Sequence, residues 1–258
     1  LRALAVNEDL IVVVSGIWQT TCTLVRSGDE GFLIDSPILP EELSALPDLL
    51  EQTGFPLSGL LCTHADWDHL LGRLAFPQAT LGAGEPSRRR LADEPQSAQR
   101  ALRAFDDTHY VKRAPLELAE VQSLPVPGRL SLGETHELEL QPTPGHTSDG
   151  TAFFVPWLQV LVCGDYISPV EIPMIEPSGS GEAYIETLQR LSPLIDASQT
   201  IVPGHGTPLT HLEAYALLRE DLSYMEALLA YGAETPLPEG RNTAAQRVIH
   251  AANVERLT

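Results

Sequence analysis

Short apolar runs separated by turn-forming residues open the chain. Leu10-Ile11-Val12-Val13-Val14 predicts a strand, and Cys22-Thr23-Leu24-Val25 with Gly31-Phe32-Leu33-Ile34-Asp35 predicts a hairpin around Ser27-Gly28-Asp29-Glu30. From Pro40 the period changes. Leu43, Leu46, Leu49 and Leu50 recur at helical spacing up to Gly54, which predicts a helix over 40–53. Leu57 to Cys62 is apolar again and reads as a buried strand. His64 then falls at that strand's end, and Asp68-His69 at the start of the next helix. Side chains at a strand-to-helix junction are held by rigid elements yet face a cleft.

Residues 85–113 are polar, helix-forming and rich in arginine (Arg88, Arg89, Arg90, Arg100, Arg103). They predict a helical insertion between two strand-bearing halves, either a solvated amphipathic surface element or a cover over a substrate. Strands resume near Val121, at 137–140, 151–154 and 160–162, and helices are predicted over 183–194 and 212–231. The stretch 168–181, with Pro169, Pro173 and Pro177, lacks periodicity and reads as a loop bordering the cleft. Its Ile172, Met174 and Ile175 face either an apolar substrate or the space beneath the loop. Strand-helix alternation in both halves indicates an α/β protein, and the hairpins argue against a purely parallel sheet. Nothing divides the chain, so 1–258 reads as one domain.

The formal net charge of −19 changes the range of partners. Phosphate binding needs a basic face, so nucleic acid and anionic membranes are disfavoured and a small-molecule substrate is expected. Lys112 is the only lysine, which reads as a coding bias. Cys22, Cys62 and Cys163 lie in apolar runs without close spacing, as buried thiols of a reducing compartment do. No run approaches the length of a membrane span and no leader pattern opens the chain, so the expected location is cytoplasmic.

The chemistry is concentrated in four places. His64, Asp66, Asp68 and His69 lie within six residues; His146 follows in Pro-Gly-His-Thr, Asp165 in Cys-Gly-Asp and His205 in Pro-Gly-His-Gly. Imidazoles and carboxylates are the ligands of zinc, iron and manganese, and seven of them suit two ions bridged by a carboxylate. The glycines beside His146, Asp165 and His205 let each loop turn sharply enough to bring one side chain to a common centre.

In order and spacing, His64-x-Asp66-x-Asp68-His69 followed by His146, Asp165 and His205 resembles the metallo-β-lactamase fold superfamily over roughly Leu10 to Pro208. That superfamily usually has a third histidine where this chain has Asp66. The resemblance implies a four-layer αββα sandwich of two mixed sheets flanked by helices. It also implies His64, Asp66 and His146 on a first metal, Asp68, His69 and His205 on a second, and Asp165 bridging. The cofactors implied are two divalent ions, zinc first, with iron or manganese as alternatives.

Two such ions supply a hydroxide near neutral pH and polarise a carbonyl. With three carboxylates and one hydroxide their core has formal charge zero, against plus one for the usual histidine, so Asp66 is expected to tune metal identity and lower acidity. The function expected is hydrolysis of an ester-like bond in a small molecule: a lactone, a thioester or a β-lactam-like amide. The alternative is an iron-dependent redox enzyme, either diiron oxygen or nitric oxide reductase-like or sulfur dioxygenase-like, which a carboxylate at this place favours. Asp68 and Tyr166 are the catalytic candidates, Tyr166 as a donor to a developing oxyanion or else as a buried structural tyrosine. Trp18 is a candidate for flanking the substrate, and Trp67 for packing. His109, His136, His211 and His250 lie outside the motifs and are read as non-ligands.

Overall fold

Two hydrophobic layers meet on every central strand, and the alternation of side chains decides which layer a residue joins. The computed structural model describes residues 2–118 and 120–257. Its first sheet runs in chain order through β1 (Arg2–Asn7), β2 (Leu10–Val14), β3 (Thr21–Ser27), β4 (Glu30–Asp35), β5 (Gly59–Cys62), β6 (Leu81–Gly84) and β7 (Gln122–Leu124). The strands are antiparallel up to β4 and parallel from β4 to β7. The second sheet comprises β8 (Gly128–Leu132), β9 (His136–Pro142), β10 (Thr151–Val155), β11 (Val160–Gly164), β12 (Thr200–Pro203) and β13 (Leu209–Thr210), in the order β13-β12-β11-β10-β9-β8. It too is mixed, since only β11 and β12 are parallel.

Leu10, Val12 and Val14 of β2 meet Leu138, Leu140, Phe153 and Val162 of the second sheet in the central core. Ile11 and Val13 point the other way, to a core shared with helix α1 (Pro40–Thr53). Gly54 ends α1 in the left-handed conformation at φ 60°, as glycine readily does at a helix C-terminus. After the short α2 (Gly72–Ala75), the insertion consists of α3 (Glu85–Asp93) and α4 (Ser97–His109), and α4 buries Ala98, Leu102 and Phe105 on the first sheet's outer side. Helices α5 (Gly181–Asp196) and α6 (His211–Tyr231) cover the outer face of the second sheet with Tyr184, Leu188, Leu218 and Met225. A last helix, α7 (Ala244–Leu257), packs beside them. The order of layers is therefore helix, sheet, sheet, helix.

One local expectation changes, and one open alternative is decided. Asp68 and His69 lie in a single 3₁₀ turn, Trp67–His69, instead of opening a regular helix. Ile172 and Ile175 are buried in the outer core of the second sheet and so fill the space beneath their loop. The three cysteines are free and buried. Among the described residues no helix is long and apolar enough to cross a membrane.

Candidate metal centre

Loops at one edge of both sheets carry the seven motif residues. His64 and Asp66 follow β5, with Asp68 and His69 in the next turn; His146 lies between β9 and β10, Asp165 directly follows β11, and His205 follows β12. The two sheets are stitched together at this edge. Thr21 donates from its amide to the Gly204 carbonyl (2.7 Å) and from its hydroxyl to the Pro203 carbonyl (2.7 Å). Gly204 is demanded by close approach, because a Cβ there would lie 2.1 Å from Asp165 Oδ1.

Asp165 is the hub. Its Oδ2 lies 3.3 Å from His146 Nε2, 3.4 Å from His205 Nε2 and 3.7 Å from His64 Nε2, while Oδ1 lies 3.2 Å from His69 Nε2. On one side Asp66 Oδ2 is 3.3 Å from His64 Nε2 and 3.4 Å from His146 Nε2. On the other, Asp68 Oδ2 is 3.6 Å from both His69 Nε2 and His205 Nε2. Ligand atoms of His64, Asp66 and His146 lie within 4.8 Å of one another, as do those of Asp68, His69 and His205. The geometry thus gives two triads on either side of one carboxylate.

Each imidazole is oriented from behind. His64 Nδ1 is 3.0 Å from the Thr63 hydroxyl, which itself donates to Asp35 Oδ2 (2.9 Å), so the ring must be the donor. His69 Nδ1 lies 3.0 Å from the same Asp35 oxygen. His146 Nδ1 donates to the Met174 carbonyl (2.8 Å) and His205 Nδ1 to the Trp18 carbonyl (3.1 Å). A proton held on Nδ1 leaves Nε2 to face the centre, which is how metal-binding histidines are set.

Asp35 is a residue that sequence reading missed. Its only signal is a carboxylate closing the apolar run Phe32-Leu33-Ile34, and it is buried. Asp149 was missed as well. It accepts from the Ala65 amide (2.9 Å) and from Arg90 of α3 (2.8 Å), and so ties the loop of His146 to the loop of His64.

Charge and burial oppose each other here. Burial resists ionisation of Asp66, yet the imidazoles of His146 and His64 hold it well below the usual carboxylate range. Burial likewise opposes charging the histidines. Asp66 and Asp165 nevertheless lift His146 to about 9, and Asp165 and Glu171 lift His205 to about 10. The Nε2 atoms of His64, His69 and His146 and Oδ1 of Asp165 are buried without a hydrogen-bond partner. Leaving such atoms unpaired costs on the order of 1–3 kcal/mol apiece. A cation accepted by all of them removes that cost, so the donor set fits divalent metal ions.

The oxyanion role considered for Tyr166 is corrected by its contacts. Its buried hydroxyl donates to the Thr143 carbonyl (3.1 Å) and accepts from the His146 amide (3.0 Å), so its one proton is already committed. It is a structural tyrosine that braces His146. The four histidines outside the motifs are engaged elsewhere, with Phe105, Ser27, Ile195 and Tyr224. Trp67 packs against Trp18 and Phe105 at ring distances of 5.6 and 4.8 Å, and Trp18 remains 46% exposed at the rim.

The loop carrying Met174 is held by the C-terminal segment. Gln246 accepts from the Ile172 amide (2.7 Å); Asn253 accepts from the Ile175 amide (2.9 Å) and donates to the Pro173 carbonyl (2.7 Å). Arg241 adds bonds to the Ser168 and Glu171 carbonyls. Asn253→Ala leaves two buried backbone groups unpaired and is expected to cost about 1–3 kcal/mol. The midpoint of urea unfolding measures it, and an unchanged midpoint would show that the strap carries no load.

Comparison with known proteins agrees with this geometry. The family model described as the metallo-beta-lactamase superfamily matches residues 15–230. No curated protein matches the chain. Among solved structures, DIM-1 metallo-beta-lactamase exposed to ceftazidime is similar with a TM-score of 0.63 at 18% identity, covering 88% of this chain and 97% of that one. The stereoselective inverting sec-alkylsulfatase Pisa1 from Pseudomonas sp. is similar with a TM-score of 0.73 at 15% identity, covering 99% of this chain and 50% of that one. TTHA1623 in a di-iron-bound form is similar with a TM-score of 0.62 at 24% identity, covering 79% of this chain and 96% of that one. At these identities the likeness is one of fold.

Proposed function

The chain belongs to the metallo-beta-lactamase superfamily, and on that footing we propose that it is a hydrolase cleaving an ester-like bond of a small molecule with two divalent ions, zinc in the first instance. The observation that carries this reading is the pair of triads on either side of Asp165, with buried Nε2 atoms turned to a common centre. His64, Asp66 and His146 would hold one ion and Asp68, His69 and His205 the other, with Asp165 between them. Ions bound there would supply a water acidified to a pKa of about 7 and polarise the substrate carbonyl.

The protein's own part is to orient and to hold protons. The Nδ1 bonds of His64, His146 and His205 fix their tautomers, and Asp35 Oδ2 lies 3.0 Å from His69 Nδ1. Asp68 turns Oδ2 towards the Nε2 atoms of His69 and His205, 3.6 Å from each, and its carboxylate would orient an attacking water. Trp18 at the rim offers an apolar wall to the rest of the substrate. The charge of −19 suits an uncharged lactone, thioester or β-lactam-like amide better than a nucleic acid or an anionic membrane surface. A cytoplasmic location accords with three free, buried thiols.

Asp66 favours a second reading, an iron-dependent redox enzyme, because a hard oxygen ligand suits iron. Metal analysis, a visible spectrum and a panel of lactones, thioesters and β-lactams separate the two. A colourless protein with about two zinc ions per chain and turnover on the panel is expected. A coloured, iron-loaded protein inert to the whole panel would replace the hydrolase reading by the redox one.

A further inference from the structure

Asp66 is the position at which this chain departs from its superfamily, and a single guanidinium addresses it. Arg90 projects from α3 of the insertion. Its Nη2 lies 2.7 Å from Asp66 Oδ1, and its Nη1 lies 2.8 Å from Asp149 Oδ1. Each carboxylate is thereby divided between two tasks. Asp66 gives Oδ1 to Arg90 and turns Oδ2 to His64 and His146; Asp149 gives Oδ1 to Arg90 and takes the Ala65 amide on Oδ2. The arginine is fixed in place, because α3 also reaches Asp149 from its first turn, where the Ser87 hydroxyl donates to the Asp149 carbonyl (2.9 Å). The insertion is anchored to the ligand loops at two points.

We infer that Arg90 is a positioning residue that holds Asp66 to one-oxygen coordination of the first metal and so keeps a coordination position on that ion open for substrate. This rests on the two-metal reading above. A histidine offers a metal one nitrogen, whereas a carboxylate can chelate with both oxygens. An unrestrained Asp66 would fill a position that a catalytic metal must leave open. A charged guanidinium N–H on Oδ1 removes the second oxygen from competition. It also draws charge from the carboxylate, which brings Asp66 closer in donor strength to the neutral imidazole that usually stands there. Lysine is a point donor and cannot span Asp66 and Asp149 together, which accounts for an arginine at this place.

Visible absorption of the cobalt(II)-loaded protein tests the inference without reference to turnover, since cobalt bands weaken as coordination number rises. In Arg90→Met, Asp66 becomes free to chelate. The cobalt bands are expected to lose at least about half their intensity while cobalt stays bound, because removing a cation does not weaken a cation site. Arg90→Lys restores a donor to Asp66 Oδ1 and is expected to recover most of the lost intensity. If Asp149, left buried and unpaired, prevents Arg90→Met from folding, Arg90→Met/Asp149→Asn removes that charge and carries the same expectation. Bands unchanged in a folded, cobalt-loaded variant overturn the inference and leave the two-metal reading standing. So does loss of cobalt with no change in band shape, which is what a purely structural Arg90 gives. A parent protein that binds no cobalt overturns both.

Discussion

Asp165→Ala is expected to purify with no more than about a tenth of the parent's metal, and to lose hydrolytic turnover by more than the 10–100-fold typical of residues that only support a metal's ligands. The expectation follows from position. Among the carboxylates of the described residues, Asp165 alone lies within 4 Å of all four imidazoles, at 3.2 to 3.7 Å. Each triad contributes two histidines and one aspartate, and the shared carboxylate would both complete their coordination and stand between two cations bound there. Without it, two divalent charges would face each other with one fewer compensating anion, in a site walled by buried side chains where screening is weak. Elemental analysis after metal loading, with circular dichroism to show that the variant is folded, measures the effect. Parent-like metal content in a folded Asp165→Ala would mean that the two triads bind independently, and the bridging role would be withdrawn.

The site was more legible in the sequence than the machinery that orients it, and the reason is physical. A metal ligand must be His, Asp, Glu or Cys, and a loop that presents one at close quarters needs glycine, so the residue types and their neighbours together form a pattern. His146 with Gly145 and His205 with Gly204 are of this kind. Supporting groups obey no such restriction. The Met174 and Trp18 carbonyls that fix His146 and His205 belong to backbone, which any residue supplies. Arg90 looked like one of several arginines on a solvated helix, because a helical period does not reveal that one side chain reaches across to another loop. Within the fold, β6 escaped because Leu81-Gly82-Ala83-Gly84 has little side chain to pattern. Its Gly82 is small because a Cβ there would sit 3.0 Å from Leu61 and 3.1 Å from Leu124. Helix α7 escaped for the opposite reason. Its buried face includes Gln246 and Asn253, which serve the loop of residues 168–176 rather than an apolar core, so its hydrophobic period is blurred.

Stripped of metal, the protein is expected to become less stable as the pH rises from about 6.5 towards 10, and added zinc should abolish that decline. His146 and His205 titrate near 9 and 10 in the folded protein, against 6.5 for an ordinary histidine. Between these values the native state holds protons that the unfolded chain has released, so the free energy of unfolding falls with rising pH. The stabilisation is fully present below pH 6.5 and is lost as pH passes through the folded values. A shift of the size seen at His146 corresponds to about 3 kcal/mol, and the two histidines do not add, because both draw on Asp165. The depressed Asp66 and Asp165 describe the same attractions from the other side: their contribution is present above the ordinary carboxylate range and lost as the pH falls towards their folded values. Metal-free protein should therefore be most stable between roughly pH 4 and 6.5. Metal ions bound there would take the place of the protons on Nε2, so the loaded protein is expected to keep its stability on the alkaline side and lose it in acid, where protons compete for the ligands. Urea midpoints measured from pH 6 to 10, with chelator and with zinc, read both curves. A flat profile for the chelated protein over that range would mean that His146 and His205 do not share their protons with Asp165 and Asp66, and the electrostatic account of the metal-free protein would fail with it.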